Sequence, residues 1–137
     1  MKTRTKEIRA VIGRLIEGLE KGDMRPIEQV YRHSPSLLIF LEGPKMKLVG
    51  WNTMKNAVSE FLRTHTRIRS RLNPDCHFVA EGRLGVFYGT YRFRAVNRKT
   101  GKPVKWTARN TFVFQKTRKG WRIIHEHDSF PVPLSGA

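Results

Sequence analysis

The second half of the chain, residues 66–130, reads almost entirely as extended segments joined by short turns, and this feature constrains the fold most. Apolar and polar residues alternate there with the period of two that is typical of strands. Short turns between long strands predict an antiparallel meander. The predicted strands run over Thr66–Leu72, with a resumption at His77–Ala80 after a break, and then over Leu84–Asn97, Val104–Gln115 and Trp121–Phe130.

The first half of the chain carries helical patterns instead. A first helix is predicted from one apolar stripe at helical spacing, and it ends at Gly22. A short second helix follows over about 25–31, and a third over about 51–64. Two short strands are predicted between them, at Leu37–Leu41 and 47–50. The residues of the first stripe are Ile8, Val11, Ile12, Leu15, Ile16 and Leu19.

Helices followed by an antiparallel sheet define the α+β class and argue against a parallel βαβ arrangement. An antiparallel sheet of this size needs a cover on one face, which the amphipathic helices supply. A sheet that curls around helices leaves an open end where a small-molecule pocket is expected. The length of 137 residues predicts a single domain over 3–133 with a short tail at 134–137.

Charge and cysteine content restrict the partners and the compartment. The chain has 27 Lys and Arg against 11 Asp and Glu, a formal charge of +16. Such a surface attracts polyanions, although solvated arginines could equally account for it. The single cysteine excludes an internal disulfide and is consistent with a cytoplasmic protein. No run of eighteen apolar residues is present, so we expect no membrane span.

Three local segments resemble a known family. Leu41-Glu42-Gly43 and 49–51 before the third helix resemble the SnoaL-like subgroup of the cone-shaped fold shared by nuclear transport factor 2 and ketosteroid isomerase, and so does the segment 120–131. A similar ending occurs in the association domain of calcium/calmodulin-dependent kinase. The resemblance covers nearly the whole chain and implies three helices on a curled antiparallel sheet and a homodimer through the sheet face. Because this fold hosts many functions, it says little about activity.

The last strand concentrates the candidate catalytic residues. Strict alternation places His125 and His127 on the face of Trp121, toward the pocket, and Asp128 on the opposite face. An imidazole can exchange a proton at neutral pH. The resemblance instead favours Asp128, because relatives use a carboxylate beside a carbonyl and the kinase association domain has a pocket Arg at that position. A bulge near the strand end would reconcile the two.

Other side chains are candidates for substrate binding. Arg109, if it points inward, could pair with Asp128 or hold a substrate carboxylate through its planar fork. Trp51 and Tyr31 lie near helix ends and could line the pocket mouth. The pair His125 and His127 could bind a metal only with a third ligand such as Glu42 or Asp128, so we predict no metal site and no cofactor.

Two functions remain open from the sequence. The first is a small-molecule enzyme of proton-transfer type, an isomerase, cyclase or hydrolase acting on a small carbonyl or on a polyketide-like or steroid-like compound. The second is a non-catalytic ligand-binding or assembly module that binds anions or nucleic acid. Rows of arginine, at 67, 69 and 71 and at 92 and 94 near Tyr88 and Tyr91, motivate the second. The motifs of common nucleic-acid-binding folds are absent from the sequence, so nucleic acid is the less favoured partner.

Overall fold

The computed structural model describes residues 3–134, which form three helices and one seven-stranded sheet. The predicted helices and strands are all present, in the predicted order. Of the predicted tail at 134–137, all but Leu134 lies outside the described residues. The elements are α1 (Thr3–Lys21), α2 (Met24–Val30), β1 (Leu38–Phe40), β2 (Leu48–Val49), α3 (Trp51–Thr64), β3 (His65–Leu72), β4 (His77–Glu81), β5 (Leu84–Asn97), β6 (Pro103–Thr117) and β7 (Gly120–Ser129).

Local signals in the sequence set the helix ends. Asp23 caps α2, because its side chain accepts a hydrogen bond of 3.0 Å from the backbone N–H of Arg25. Gly50 precedes α3 with a φ of 89°, a conformation that favours glycine, and a side chain there would meet the backbone of Pro35. The buried stripe of α1, which includes Ile8 and Ile12, packs into the main hydrophobic core.

The sheet is mixed. Its strands lie in the order β2-β1-β7-β6-β5-β3, and β4 pairs with β5 beside the end of β3. The four long segments form the predicted antiparallel meander, in which β3 and β4 together flank β5. The short strand β1 adds to the free edge of β7 in parallel, pairing Phe40 with His127. This pairing brings the loop after β1 next to the end of β7.

A β-bulge at Ile124 changes which residues of β7 face the core. The β6–β7 register shifts there, because Phe114 pairs with Ile123 whereas Val113 pairs with His125. A bulge inserts one extra residue and so reverses the alternation beyond it. Trp121 and Ile123 are therefore buried before the bulge, and Glu126 and Asp128 are buried after it.

Within residues 3–134, the longest helix is too polar to cross a lipid bilayer.

Candidate functional site

A cavity of about 600 Å³ lies between the helices and the inner face of the sheet. Its volume is in the range of small-molecule sites. The walls are overwhelmingly apolar, and aromatic rings from α3 and the sheet surround one side. The rings belong to Phe61, Tyr91, Phe93, Trp106, Phe112 and Phe130. An apolar cavity of this kind favours an apolar ligand and lowers the local dielectric for any polar group in it.

Polar side chains line the cavity where the end of β7 pairs with the middle of β6, beside the loop after β1. Tyr31 donates a hydrogen bond of 2.5 Å from its hydroxyl to Oε1 of Glu126. Asn110 lies opposite Asp128 in the ladder and donates from Nδ2 to its Oδ1. The side chains of Glu126 and Asp128 are themselves hydrogen-bonded. Four buried polar groups thus form one connected network in contact with the cavity.

The surroundings of Asp128 on β7 favour its protonated form. Burial raises the pKa of Asp128 well above its ordinary value, and the negative charge of Glu126 raises that pKa further. The hydrogen bond from Asn110 opposes this shift but is the smallest contribution. Burial and the neighbouring charge thus favour the protonated form of Asp128, whose O–H can donate a hydrogen bond to Glu126.

A third carboxyl group, Glu42, lines the same cavity from the loop after β1. Burial raises the pKa of Glu42 to about 7, and the charge of Glu126 contributes to the increase. A group that titrates near neutral pH can both accept and release a proton during a reaction. Glu42 has the electrostatic character of a general base.

Tyr31 is held in place by aromatic packing. Its ring stacks on Trp51 with centroids 5.6 Å apart, and Trp51 stacks in turn on His33 at 4.5 Å. Burial, together with the charge of Glu126, raises the pKa of the Tyr31 phenol well above its ordinary value. The hydroxyl therefore stays protonated and acts only as a donor to Glu126 at neutral pH.

The placement of the two histidines toward the cavity is wrong. Because of the bulge at Ile124, His125 and His127 lie on the outer face of the sheet. Neither is among the described residues that line the cavity. His125 donates from Nδ1 to the backbone carbonyl of Leu38 at 2.6 Å. His127 is exposed and contacts the edge of the Phe40 ring, with centroids 5.0 Å apart.

Arg109 does not point inward, and Trp51 is not among the residues that line the cavity. Arg109 lies on the outer face, where it donates to the Ser129 hydroxyl at 3.0 Å and to the Phe130 carbonyl at 2.7 Å. It is therefore neither a partner of Asp128 nor a clamp inside the cavity. The histidine pair and the carboxyl groups occupy opposite faces of β7, so they cannot form one metal ligand set.

Asn110 is a site residue that the sequence interpretation missed, although its position in the pattern of β6 could have revealed it. On β6 it occupies the inward row between Ala108 and Phe112, both of which are buried. A polar residue in a buried apolar row needs a partner and marks a candidate site. The sequence marks Glu42 only as a possible third metal ligand. Its proximity to β7 depends on the parallel pairing of β1 with β7, which local spacing does not reveal.

Comparisons with known proteins agree with this architecture. The chain matches the SnoaL-like domain over residues 8–133. A nuclear transport factor 2-like superfamily protein from Salmonella enterica is 26% identical, with coverage of 98% of this chain and 95% of that chain and a TM-score of 0.86. No curated protein matches the sequence.

Two further solved structures share the fold at lower identity. A ketosteroid isomerase-like protein from Erwinia carotovora is 13% identical, with coverage of 97% of this chain and 100% of that chain and a TM-score of 0.77. A Xanthomonas campestris protein assigned to the calcium/calmodulin-dependent protein kinase II association domains is 22% identical, with coverage of 94% and 89% and a TM-score of 0.78. These identities show the fold alone.

The resemblance found in the sequence agrees with the order of the helices and strands, with the sheet packed on three helices, and with the family match over residues 8–133. The chain belongs to the SnoaL-like domain family and has the nuclear transport factor 2-like fold.

Proposed function

We propose that the protein is an enzyme of proton-transfer type that acts on an uncharged, largely apolar carbonyl compound. The observation that supports this most directly is the convergence of Glu42, Glu126 and Asp128 on one apolar cavity of about 600 Å³. Environments that push the pKa values of neighbouring carboxyl groups apart provide an acid and a base at the same pH. An anionic substrate fits poorly, because the polar end of the cavity already holds the Glu126 carboxylate.

Each side chain has a distinct role in this proposal. Glu42 is the base, because its pKa of about 7 matches neutral pH and no neighbouring side chain donates a hydrogen bond to it among the described residues. Asp128 in its protonated form is the acid, and its O–H exchanges the hydrogen bond to Glu126 for one to the substrate oxygen when the substrate binds. Glu126 keeps Asp128 protonated, and Tyr31 holds Glu126 in place.

The reaction follows from these roles. Glu42 removes a proton from the carbon next to the carbonyl, and the electron pair of that C–H bond moves toward the oxygen. The Asp128 O–H donates to that oxygen as negative charge develops. Return of a proton from Glu42 to a carbon gives an isomer or regenerates the ketone. Proton balance closes within the site without any further reactant.

The test uses hydrogen exchange, which does not require the natural substrate. The purified protein is incubated in D₂O with neutral cyclic ketones such as 1-decalone, and deuterium at the α-carbon is measured by mass spectrometry. We expect exchange above the buffer rate, rising with pH through about 7 as Glu42 loses its proton. Glu42→Gln and Asp128→Asn should each reduce the rate by about 10²-fold or more.

His127→Gln is the matched control, because this exposed residue lies on the same strand but on the outer face. It should leave the exchange rate unchanged. Equal losses in Glu42→Gln and His127→Gln would contradict the assignment of the base. Binding of the ketones without any catalysed exchange would refute the enzyme and favour the non-catalytic ligand-binding module.

A further inference from the structure

A block of cations covers one end of the outer sheet face, and we call it the basic face. It consists of Arg69, Arg71, Arg92, Arg94 and Lys105. The ladder sets Arg69 opposite Arg94 and Arg71 opposite Arg92, and Arg94 also lies opposite Lys105 on its other side. Side chains that are directly opposite in a ladder are about 5 Å apart at Cβ. Like charges at this spacing destabilise a sheet.

Little within the described chain neutralises the basic face. Glu20 of α1 forms an ion pair of 2.7 Å with Arg71, and the same carboxylate also accepts from the backbone of Ser70. Among residues 3–134, the other four cations have no ion-pair partner. Arg69 and Arg71 also donate hydrogen bonds to the backbone carbonyls of Ile68 and Ser70, which do not neutralise their charge. A row of opposed cations that costs stability and is left largely unneutralised indicates that an anion covers it.

The shape and chemistry of the basic face suit phosphate groups. A shallow groove of about 410 Å³ runs between these side chains. Four of its five cations are arginines, whose planar forks match phosphate oxygens with two hydrogen bonds each. Neighbouring cations along one strand, such as Arg92 and Arg94, are about 7 Å apart, which forms a track rather than a single anion pocket.

An aromatic pair on the same sheet face continues this track. Tyr88 precedes Arg92 by four residues on β5, so both side chains point outward and lie about 13 Å apart. Tyr88 is 45% exposed, and it stacks on His77 with ring centroids 5.0 Å apart. Between the pair and the arginines, Asp75 at the sheet edge accepts hydrogen bonds from Thr90. Exposed rings beside a basic track are the features that bind unpaired bases.

We propose that the outer sheet face binds single-stranded nucleic acid, with phosphates on the basic face and a base stacked on the Tyr88–His77 pair. An acidic protein would satisfy the charges but would not use the aromatic pair. A homodimer through the sheet face is compatible with this site when its two-fold axis lies away from the basic face, since a second copy packed directly on that face would bring like charges together. Two residues that the sequence associated with these rows do not belong to the track. Arg67 lies in a bulge with a φ of 53°, and the side chain of Tyr91 faces the interior.

The test measures binding of fluorescein-labelled dT20 by fluorescence anisotropy between 50 and 300 mM NaCl. With about four or five phosphate contacts, the plot of log K against log salt should have a slope of about −3. Arg92→Ala/Arg94→Ala should reduce affinity at least tenfold at 100 mM salt and make the slope shallower by about 1.4. Tyr88→Ala should reduce affinity by about tenfold and leave the slope unchanged.

The matched control is Arg118→Ala/Lys119→Ala in the turn before β7, which removes the same charge from another surface. It should keep wild-type affinity within about twofold. Equal losses in both double variants would mean diffuse attraction to the net charge and would overturn the proposal. So would undetectable binding at 50 mM salt, tighter binding of a duplex of the same sequence, or equal binding of a polyglutamate of similar length. Circular dichroism confirms that each variant folds, which is expected since the Arg92/Arg94 change removes repulsion.

Discussion

Glu42 links the chemistry of the cavity to the stability of the fold. Its folded-state pKa of about 7 lies above the ordinary value of 4.5, so the folded chain holds this proton more tightly than the unfolded chain does. The corresponding stabilisation is complete below pH 4.5 and is lost as the pH rises through about 7. Above that range the protein carries the cost of a charged carboxylate in an apolar cavity.

Replacing Glu42 with Gln should therefore stabilise the protein at alkaline pH. We expect the free energy of unfolding to increase by about 2 kcal/mol at pH 8, a value reduced for the partial exposure of Glu42, and to change little at pH 4.5. Urea unfolding at the two pH values measures the difference. Glu81→Gln, at an exposed position in β4, is the control and should show no such pH dependence. A Glu42→Gln variant that is equally stabilised at both pH values would contradict the proposed burial of the charge.

At the scale of secondary structure, local patterns predicted the helices and strands well and the faces of β7 poorly. The bounds of α3 and β5 follow directly from their apolar spacing, because periodicity is a local property of the chain. The bulge at Ile124 depends on the β6 register, which is a non-local property. One extra residue reversed the faces of the histidines and of Asp128 together.

Removing Ile124 tests how much of the site depends on that bulge. Deletion leaves Ile123 opposite Phe114 and His125 opposite Val113 with no extra residue between them, so Glu126 and Asp128 stay inward and Glu126 keeps the hydrogen bond from Tyr31. We expect the free energy of unfolding to change by no more than about 1 kcal/mol, because the deletion removes an unpaired, partly buried residue and keeps the buried network. Thermal and urea unfolding measure this change.

Ile124→Val is the control for the deletion, because it keeps the extra residue and shortens a partly buried side chain. It should cost about 1 kcal/mol. A deletion variant that is several kcal/mol less stable than Ile124→Val would contradict this expectation and would mean that the extra residue itself holds Glu126 and Asp128 in place.

At the scale of the whole molecule, the inside and the outside carry opposite charge. The cavity concentrates carboxyl groups, whereas the chain as a whole has a formal charge of +16. Composition predicted the second property and could not predict the first, because Glu42 is distant in sequence from Glu126 and Asp128 and meets them only through the parallel pairing of β1 with β7. An excess of one charge on a small surface destabilises the compact state through self-repulsion.

Salt should consequently stabilise this protein over the low range of ionic strength. Screening shortens the reach of the repulsion from about 30 Å at 0.01 M to about 8 Å at 0.15 M, while the few exposed ion pairs that it weakens contribute little. We expect the melting temperature to rise by several degrees between 10 and 150 mM NaCl, measured by calorimetry without phosphate or nucleic acid. Arg92→Glu/Arg94→Glu should raise the melting temperature at 10 mM salt and reduce the gain from salt. Arg118→Glu/Lys119→Glu changes the net charge equally but leaves the opposed arginines in place, so it should raise the melting temperature less. Equal increases in the two variants would mean that the arginines opposed in the ladder do not destabilise the fold more than other surface cations do.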